Sequence, residues 1–224
     1  MQRQNPDSKR TFQSHEFSRW CERYADLAAM TGIEVRPYRS IDLPLFSRLS
    51  TAEQEAVLNT IEGNVKLFES MVHEKVKLTD SKQLLWRSCR ALRLTPRSDI
   101  FDQIGDEDVV EIYSTQQKQI FRNLQFFKYV SLTLEDLYCD TWYDLTRRDP
   151  VREAELGQAA LKLLSGEVED SLPIEVPEHL VHEIDTEKML TISIRVKWLS
   201  PVTNEGQLAG VLVINESRLV GPQA

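Results

Sequence analysis

Cysteine is scarce in this chain and scattered. Cys21, Cys89 and Cys139 are the only three in 224 residues. An odd number at wide spacing fits reduced, packed thiols better than a disulfide frame. No C-x-x-C pair occurs, which removes the commonest framework for structural zinc. Long apolar runs are missing as well: none approaches the ~20 residues that span a bilayer. Met1–Arg10 is polar and charged and has no apolar stretch of the signal-peptide kind, so the expected location is cytoplasmic. G-x-S-x-G, P-loop and H-E-x-x-H signatures are all absent, and the expectation is a protein that is not an enzyme. Asp140, Asp144 and Asp149 are carboxylates near a groove, but capping and surface charge account for them.

The composition is that of an ordinary globular chain, 41% hydrophobic and 28% charged. Its charge is not evenly spread. Residues 1–105 hold 16 Lys and Arg against 14 Asp and Glu, whereas residues 106–224 hold 11 against 21. The step predicts a boundary near Gly105. It also argues against the acidic half gripping nucleic acid, which demands phosphate neutralisation.

The first half reads as helices. Phe12, Phe17, Trp20, Cys21, Tyr24, Leu27 and Ala28 recur at steps of three and four, and Thr31–Gly32 supplies a stop. Arg36–Pro44 carries two prolines and reads as a connector. Ser50 or Thr51, with Glu53 or Gln54 three residues on, predicts a capping box at the head of a long helix. Its Leu58, Ile61, Val65, Phe68 and Val72 form a seam about two heptads long, suited to packing within a bundle or to dimerisation. A further helix is expected over Lys82–Leu94. Arg87, Arg90, Arg93 and Arg97 line it beside Trp86, either as a solvated face or as a surface for nucleic acid or an acidic partner. Ser98–Ile104 reads as one more short helix.

The second half changes period. Val109–Ser114 and Gln119–Tyr129 read as a hairpin of strands joined at Gln116–Gln117. Ser131–Thr133 opens short helices that carry Leu134, Leu137, Tyr138, Trp142 and Leu145. Asp149–Pro150 starts a helix over Val151–Leu164, with Val151, Leu156, Ala159, Ala160, Leu163 and Leu164 on its buried side. Leu172, Ile174 and Val176 alternate, with Pro173 and Pro177 placing them at an edge. In Met189–Ser200, Leu190, Ile192, Ile194, Val196 and Trp198 alternate with Thr191, Ser193, Arg195 and Lys197, so one face is apolar and the other polar. A turn at Asn204–Gly206 leads into Gln207–Asn215. That segment is apolar on both faces and therefore reads as a central strand.

This order resembles a PAS domain, the sensor and interaction module of signalling proteins, over Asp106–Ser217. The residues that carry it are "VVEIYSTQQKQIFRNLQFFKYVSLTLEDLYCDTWYDLTRRDP", "LKLLSGE" and "TISIRVKWLSPVTNEGQLAGVLVINES". Within them Thr133–Glu135–Leu137 matches a T-x-E-x-L segment, Leu163–Gly166 matches an L-x-x-G helix end, and Gly206, Gly210 and Asn215 match the closing turn and strand. The resemblance implies a five-stranded antiparallel sheet in the order 2-1-5-4-3, with dimerisation through a flanking helix such as Ser98–Ile104. The expected fold class is thus α+β: a helical region over 1–105, a PAS-like domain over 106–218 and a short tail over 219–224.

No cofactor is expected. The flavin-adduct members resemble N-C-R-F-L-Q on a helix, whereas Cys139 sits in "LYCDTW". Haem-binding members often use a histidine on the longer helix, and Val151–Leu164 has none. His179 and His182 lie three apart in an extended segment, hence on opposite faces, which does not suit a metal. The expected function is a signalling or regulatory protein that binds a protein partner or itself, with no membrane and nucleic acid disfavoured. Few residues follow Ser217, so output is expected from the helices or from a partner. The candidate partner surface is Thr191, Ser193, Arg195 and Lys197. The alternative is a small-molecule sensor with its ligand near Trp142 and Tyr143. A further alternative is a nucleic-acid-binding regulator acting through the four arginines.

Overall fold

The computed structural model describes residues 6–116 and 118–222, with side chains from residue 12 onward. Gln117, and with it half of the turn read at Gln116–Gln117, lies outside the described residues, as do residues 1–5. The first half folds into α1 (Pro6–Ala29), α2 (Pro44–Arg48), α3 (Thr51–His73) and α4 (Ser81–Ala91). The capping box at Ser50 and Glu53 is present at the head of α3, and Asp80 caps α4. The buried stripe of α1 is Gln13, Phe17, Cys21, Tyr24, Leu27 and Ala28. Phe12 does not belong to it. It is one residue out of phase with that stripe and is 64% exposed. The seam of α3 is spent inside the molecule: Ile61, Val65 and Phe68 are buried, and Phe68 packs on Tyr24 of α1 at 4.8 Å between ring centroids.

The second half supplies most of an antiparallel sheet. Its strands are β1 (Thr95–Pro96), β2 (Val109–Ser114), β3 (Gln119–Arg122), β4 (Thr146–Arg148), β5 (Leu172–Pro173), β6 (His179–Glu183), β7 (Leu190–Asn204) and β8 (Gln207–Pro222). The hydrogen-bonded order is β3-β2-β8-β7-β6-β4, with β1 and β5 also paired to β7. The fold is therefore α+β, but the sheet has eight strands where five are expected. Three of the eight, β1, β4 and β5, are only two or three residues long. Between β3 and β4 lie α5 (Leu134–Cys139) and α6 (Trp142–Leu145), and between β4 and β5 lies α7 (Pro150–Leu164). Ser98–Gln103 and Leu124–Lys128 are 3-10 helices.

Three departures from the sequence reading stand out in the sheet. The strand expected over Gln119–Tyr129 stops at Arg122 because Asn123 replaces the ladder with its own amide. Its Oδ1 accepts from the Val110 N–H at 3.1 Å, and its Nδ2 donates to Ser81 Oγ at 2.7 Å and to the Asp108 carbonyl at 2.8 Å. Trp198 does not share the face of Ile192, Ile194 and Val196. A β-bulge places two residues, Lys197 and Trp198, against one step of β8, from Asn215 to Ile214, and such an extra residue reverses the facing beyond it. Finally, β8 does not end at Asn215. It continues to Pro222, opposite Leu190, so residues 219–222 are strand and not tail.

The charge step near Gly105 does not mark a break in packing. One cluster of buried apolar side chains joins Phe17, Tyr24, Phe46, Ile61 and Leu84 to Ile112, Leu212 and Ile214 of the sheet. The junction is tied by α5. Glu135 is fully buried, and its Oε1 accepts from the Leu45 and Phe46 N–H groups at 2.8 and 3.1 Å. Those are orphan donors of the first turn of α2. The Leu134 and Glu135 N–H groups donate in turn to the carbonyls of Arg36 and Pro37. No helix among the described residues is long and apolar enough to cross a membrane.

Two stability measurements follow from this architecture. A Cβ at Gly210 would lie 2.1 Å from the Tyr113 carbonyl oxygen, so Gly210→Ala should lower unfolding free energy by about 2 kcal/mol in urea titration. Glu135→Ala leaves two buried N–H groups without an acceptor. It should cost about 2–4 kcal/mol, and Glu135→Gln, which keeps one carbonyl oxygen, clearly less.

Candidate functional site

α7 covers its face of the sheet incompletely. Of its fifteen residues only Leu163 is buried. Val151, expected on the buried side, is 61% exposed. The helix turns Gly157 and Ala160 toward the strands, and side chains this small cannot fill the gap beneath them. The result is a cavity of about 280 Å³. Leu156, Leu161 and Leu164 wall it from α7, Ile194, Val196 and Leu199 from β7, and Val211 and Val213 from β8. Trp142 and Tyr143 of α6 and Arg148 of β4 also border the cavity. Both residues proposed from sequence as ligand contacts therefore lie at one pocket.

Sequence reasoning missed the polar side of this pocket, formed by Glu111, Tyr113 and Asn215. Glu111 and Tyr113 sit two apart on β2, opposite Val213 and Val211 of β8. The pleat therefore turns both toward the cavity. Glu111 is only 5% exposed. Tyr113 donates its hydroxyl hydrogen to Glu111 Oε1 at 2.8 Å, Gln119 Nε2 donates to the same oxygen, and Asn215 Nδ2 donates to Oε2 at 3.0 Å. Burial raises the Glu111 carboxyl above its ordinary value. The bonds from Tyr113 and Asn215 and the charges of Arg122 and Arg148 pull in the other direction. The signal for this residue was present in "VVEIYS": a lone carboxylate inside a strand that is otherwise apolar and aromatic.

Arg148 lies over the Trp142 ring, 5.8 Å from its centroid. Tyr113 meets the same ring edge-on at 6.3 Å. Trp142 packs against both apolar clusters of the molecule, the one shared with the N-terminal helices and the one beneath α7.

The other predicted site residues lie elsewhere, and most of them are engaged within the chain. Thr191 and Ser193 are buried. Thr191 Oγ1 is 2.9 Å from His182 Nδ1, and Ser193 donates to Glu178. Arg195 is exposed and pairs with Glu216 at 2.9 Å. Lys197 reaches Asp108 at 2.8 Å. The four arginines do not form one stripe. Arg87 makes two parallel bonds to Glu74, at 3.0 and 2.8 Å, which hold the Glu74 carboxyl down at about 2. Arg97 pairs with Asp170, and Arg90 stacks on Trp86 at 4.8 Å. Arg93 is exposed just past the end of α4 in the left-handed region, with φ 56°. Cys139 is a partly buried free thiol whose pKa is raised by burial. Among the described residues no group of three or more His, Cys, Asp or Glu is arranged to hold a metal ion.

The direction of the Glu111 shift gives a pH test. A carboxyl raised in the folded state contributes stability below its unfolded value, about 4.3, and loses it as pH rises through the folded value. The unfolding free energy of the native protein minus that of Glu111→Gln should therefore fall as pH rises above about 4. Urea titrations at a series of pH values measure it. A pH-independent difference would contradict the assignment.

No protein-family model, curated protein or solved structure matches the chain.

Proposed function

We propose that the chain is a non-enzymatic regulatory protein of PAS type that senses a small molecule in the pocket beneath α7, with the N-terminal helices as the responding element. Counted from β2, the path β3-β2-β8-β7-β6 runs 2-1-5-4-3 if the short β4 and β5 are left out of the count. The helices α5, α6 and α7 fall between the second and third strands of that count, as in the domains the sequence resembles. The observation that carries the sensing reading is the apolar cavity with its recessed polar cluster and bordering aromatics. Concave apolar sites with a few fixed polar groups are what small ligands use.

The sequence favoured protein–protein interaction, but Thr191, Ser193, Arg195 and Lys197 are already occupied by internal partners or buried. Interaction stays as a second reading on a different observation. Val151, Leu161 and Tyr143 are each more than half exposed, and the last two border the pocket mouth. The nucleic-acid reading loses support, since Arg87 and Arg97 already face carboxylates.

Native mass spectrometry of freshly purified protein should show a bound small molecule. Ala160→Trp, which fills the cavity from α7, should lose that mass while keeping the circular dichroism of the native chain. A clean unliganded mass from several preparations, with no thermal shift across a metabolite set, would remove the sensing reading. A stable dimer broken by Leu161→Glu would favour the second.

A further inference from the structure

The pocket holds a buried carboxyl that has no ion-pair partner at contact distance. Glu111 accepts from three neutral donors, Tyr113, Gln119 and Asn215. Among the described residues no Lys or Arg nitrogen comes within 4.0 Å of its carboxylate. Arg122, its cross-strand neighbour, donates instead to the Leu137 carbonyl at 3.4 Å and stacks on Tyr138 at 4.9 Å. A recessed carboxylate without an ion pair is costly, and the carboxylate borders the cavity.

Three further observations point the same way. Gln119, which already donates to Glu111, has its own amide oxygen buried without a donor. Glu153, in the first turn of α7, adds a second carboxylate to the lining against the single guanidinium of Arg148. Tyr113, Trp142 and Tyr143 supply aromatic faces, which attract cations through their quadrupoles. A recessed carboxyl without an ion pair, one more carboxyl than guanidinium in the lining and aromatic walls together suit an ammonium group.

We propose that the pocket takes a primary amine on a compact apolar body, its ammonium seated on Glu111 and its apolar part against Ile194, Val196 and Leu161. The cavity volume suits a single ring with a short chain. This rests on the sensing reading above and adds to it the chemical class of the ligand. Arg148 opposes it, because a carboxylate ligand would pair there instead.

The experiment is a calorimetric titration of the full chain with three probes of one shape: phenethylamine, 2-phenylethanol and phenylacetate. Phenethylamine should bind at least about tenfold more tightly than either of the others. Glu111→Gln should erase that preference while leaving 2-phenylethanol binding unchanged. If Glu111→Gln does not fold, Glu153→Gln should weaken the amine and spare the alcohol. Phenylacetate binding as well as or better than the amine would overturn the cationic assignment and leave the pocket reading standing. Binding of none of the three, with a clean native mass, would overturn both.

Discussion

The requirement that governs this molecule is burial on both faces of β8. Leu212 and Ile214 are fully buried on one side of the sheet, and Val211 is nearly so on the other. A strand of this kind cannot be stable in a sheet with one solvated face. Something must cover each side. The N-terminal helices cover the first side with Phe17, Phe46, Ile61 and their neighbours. On the second side α7 is the main cover, and it turns Gly157 and Ala160 toward the sheet. Two sides with the same demand receive unequal cover, and the cavity is the shortfall.

The charge asymmetry of the sequence takes its meaning from the same junction. Read along the chain, a basic half and an acidic half suggest two bodies. Folded, they are complementary. Arg36 pairs with Glu187, Arg39 with Asp136, Arg48 with Asp140 and Arg97 with Asp170, each joining the first 105 residues to the rest. The exposed pairs contribute little each. Arg39 to Asp136 differs, since that carboxylate is nearly inaccessible and also accepts from the Thr133 N–H and hydroxyl at 2.8 Å. Beside it, Glu135 holds the first turn of α2. The acidic residues of α5 are thus the seam along which the helical region is joined to the sheet.

Local chemistry was well legible in the sequence. Ser50, Thr133 and Asp149 start helices where short polar side chains say they should. Val109–Ser114 is β2 to the residue, and Glu205 and Gly206, at φ 50° and 80°, make the two-residue turn that the register requires. What could not be read depends on partners distant in the chain. Asn123 ends a strand because Ser81 and Asp108 are there to receive its amide. Lys197 bulges where Asp108 stands opposite, 89 residues away. β4 and β6 are short and of mixed composition, and each is a strand only beside its neighbour. At the pocket the aromatics were legible because large rings next to a helix start are conspicuous. Glu111 was not, since a carboxylate in a strand reads as solvent-facing until the opposite face is known to be covered.

Position also decides how the site can speak to the rest of the chain. Trp142 borders the pocket and packs against both clusters, and it follows α5 directly. Tyr138 of α5 accepts a hydrogen bond from Asn64 of α3 at 2.7 Å. A ligand can shift these helices only as far as it binds one arrangement better than another. A group that merely filled the cavity under α7 would stabilise the chain by mass action and leave the helices where they are. A group that moved Trp142 would act on a side chain shared by both clusters, and interiors packed to crystal density do not yield on one side alone. On the sensing reading proposed above, Trp142 and α5 are thus the packed connection between the pocket and the helices.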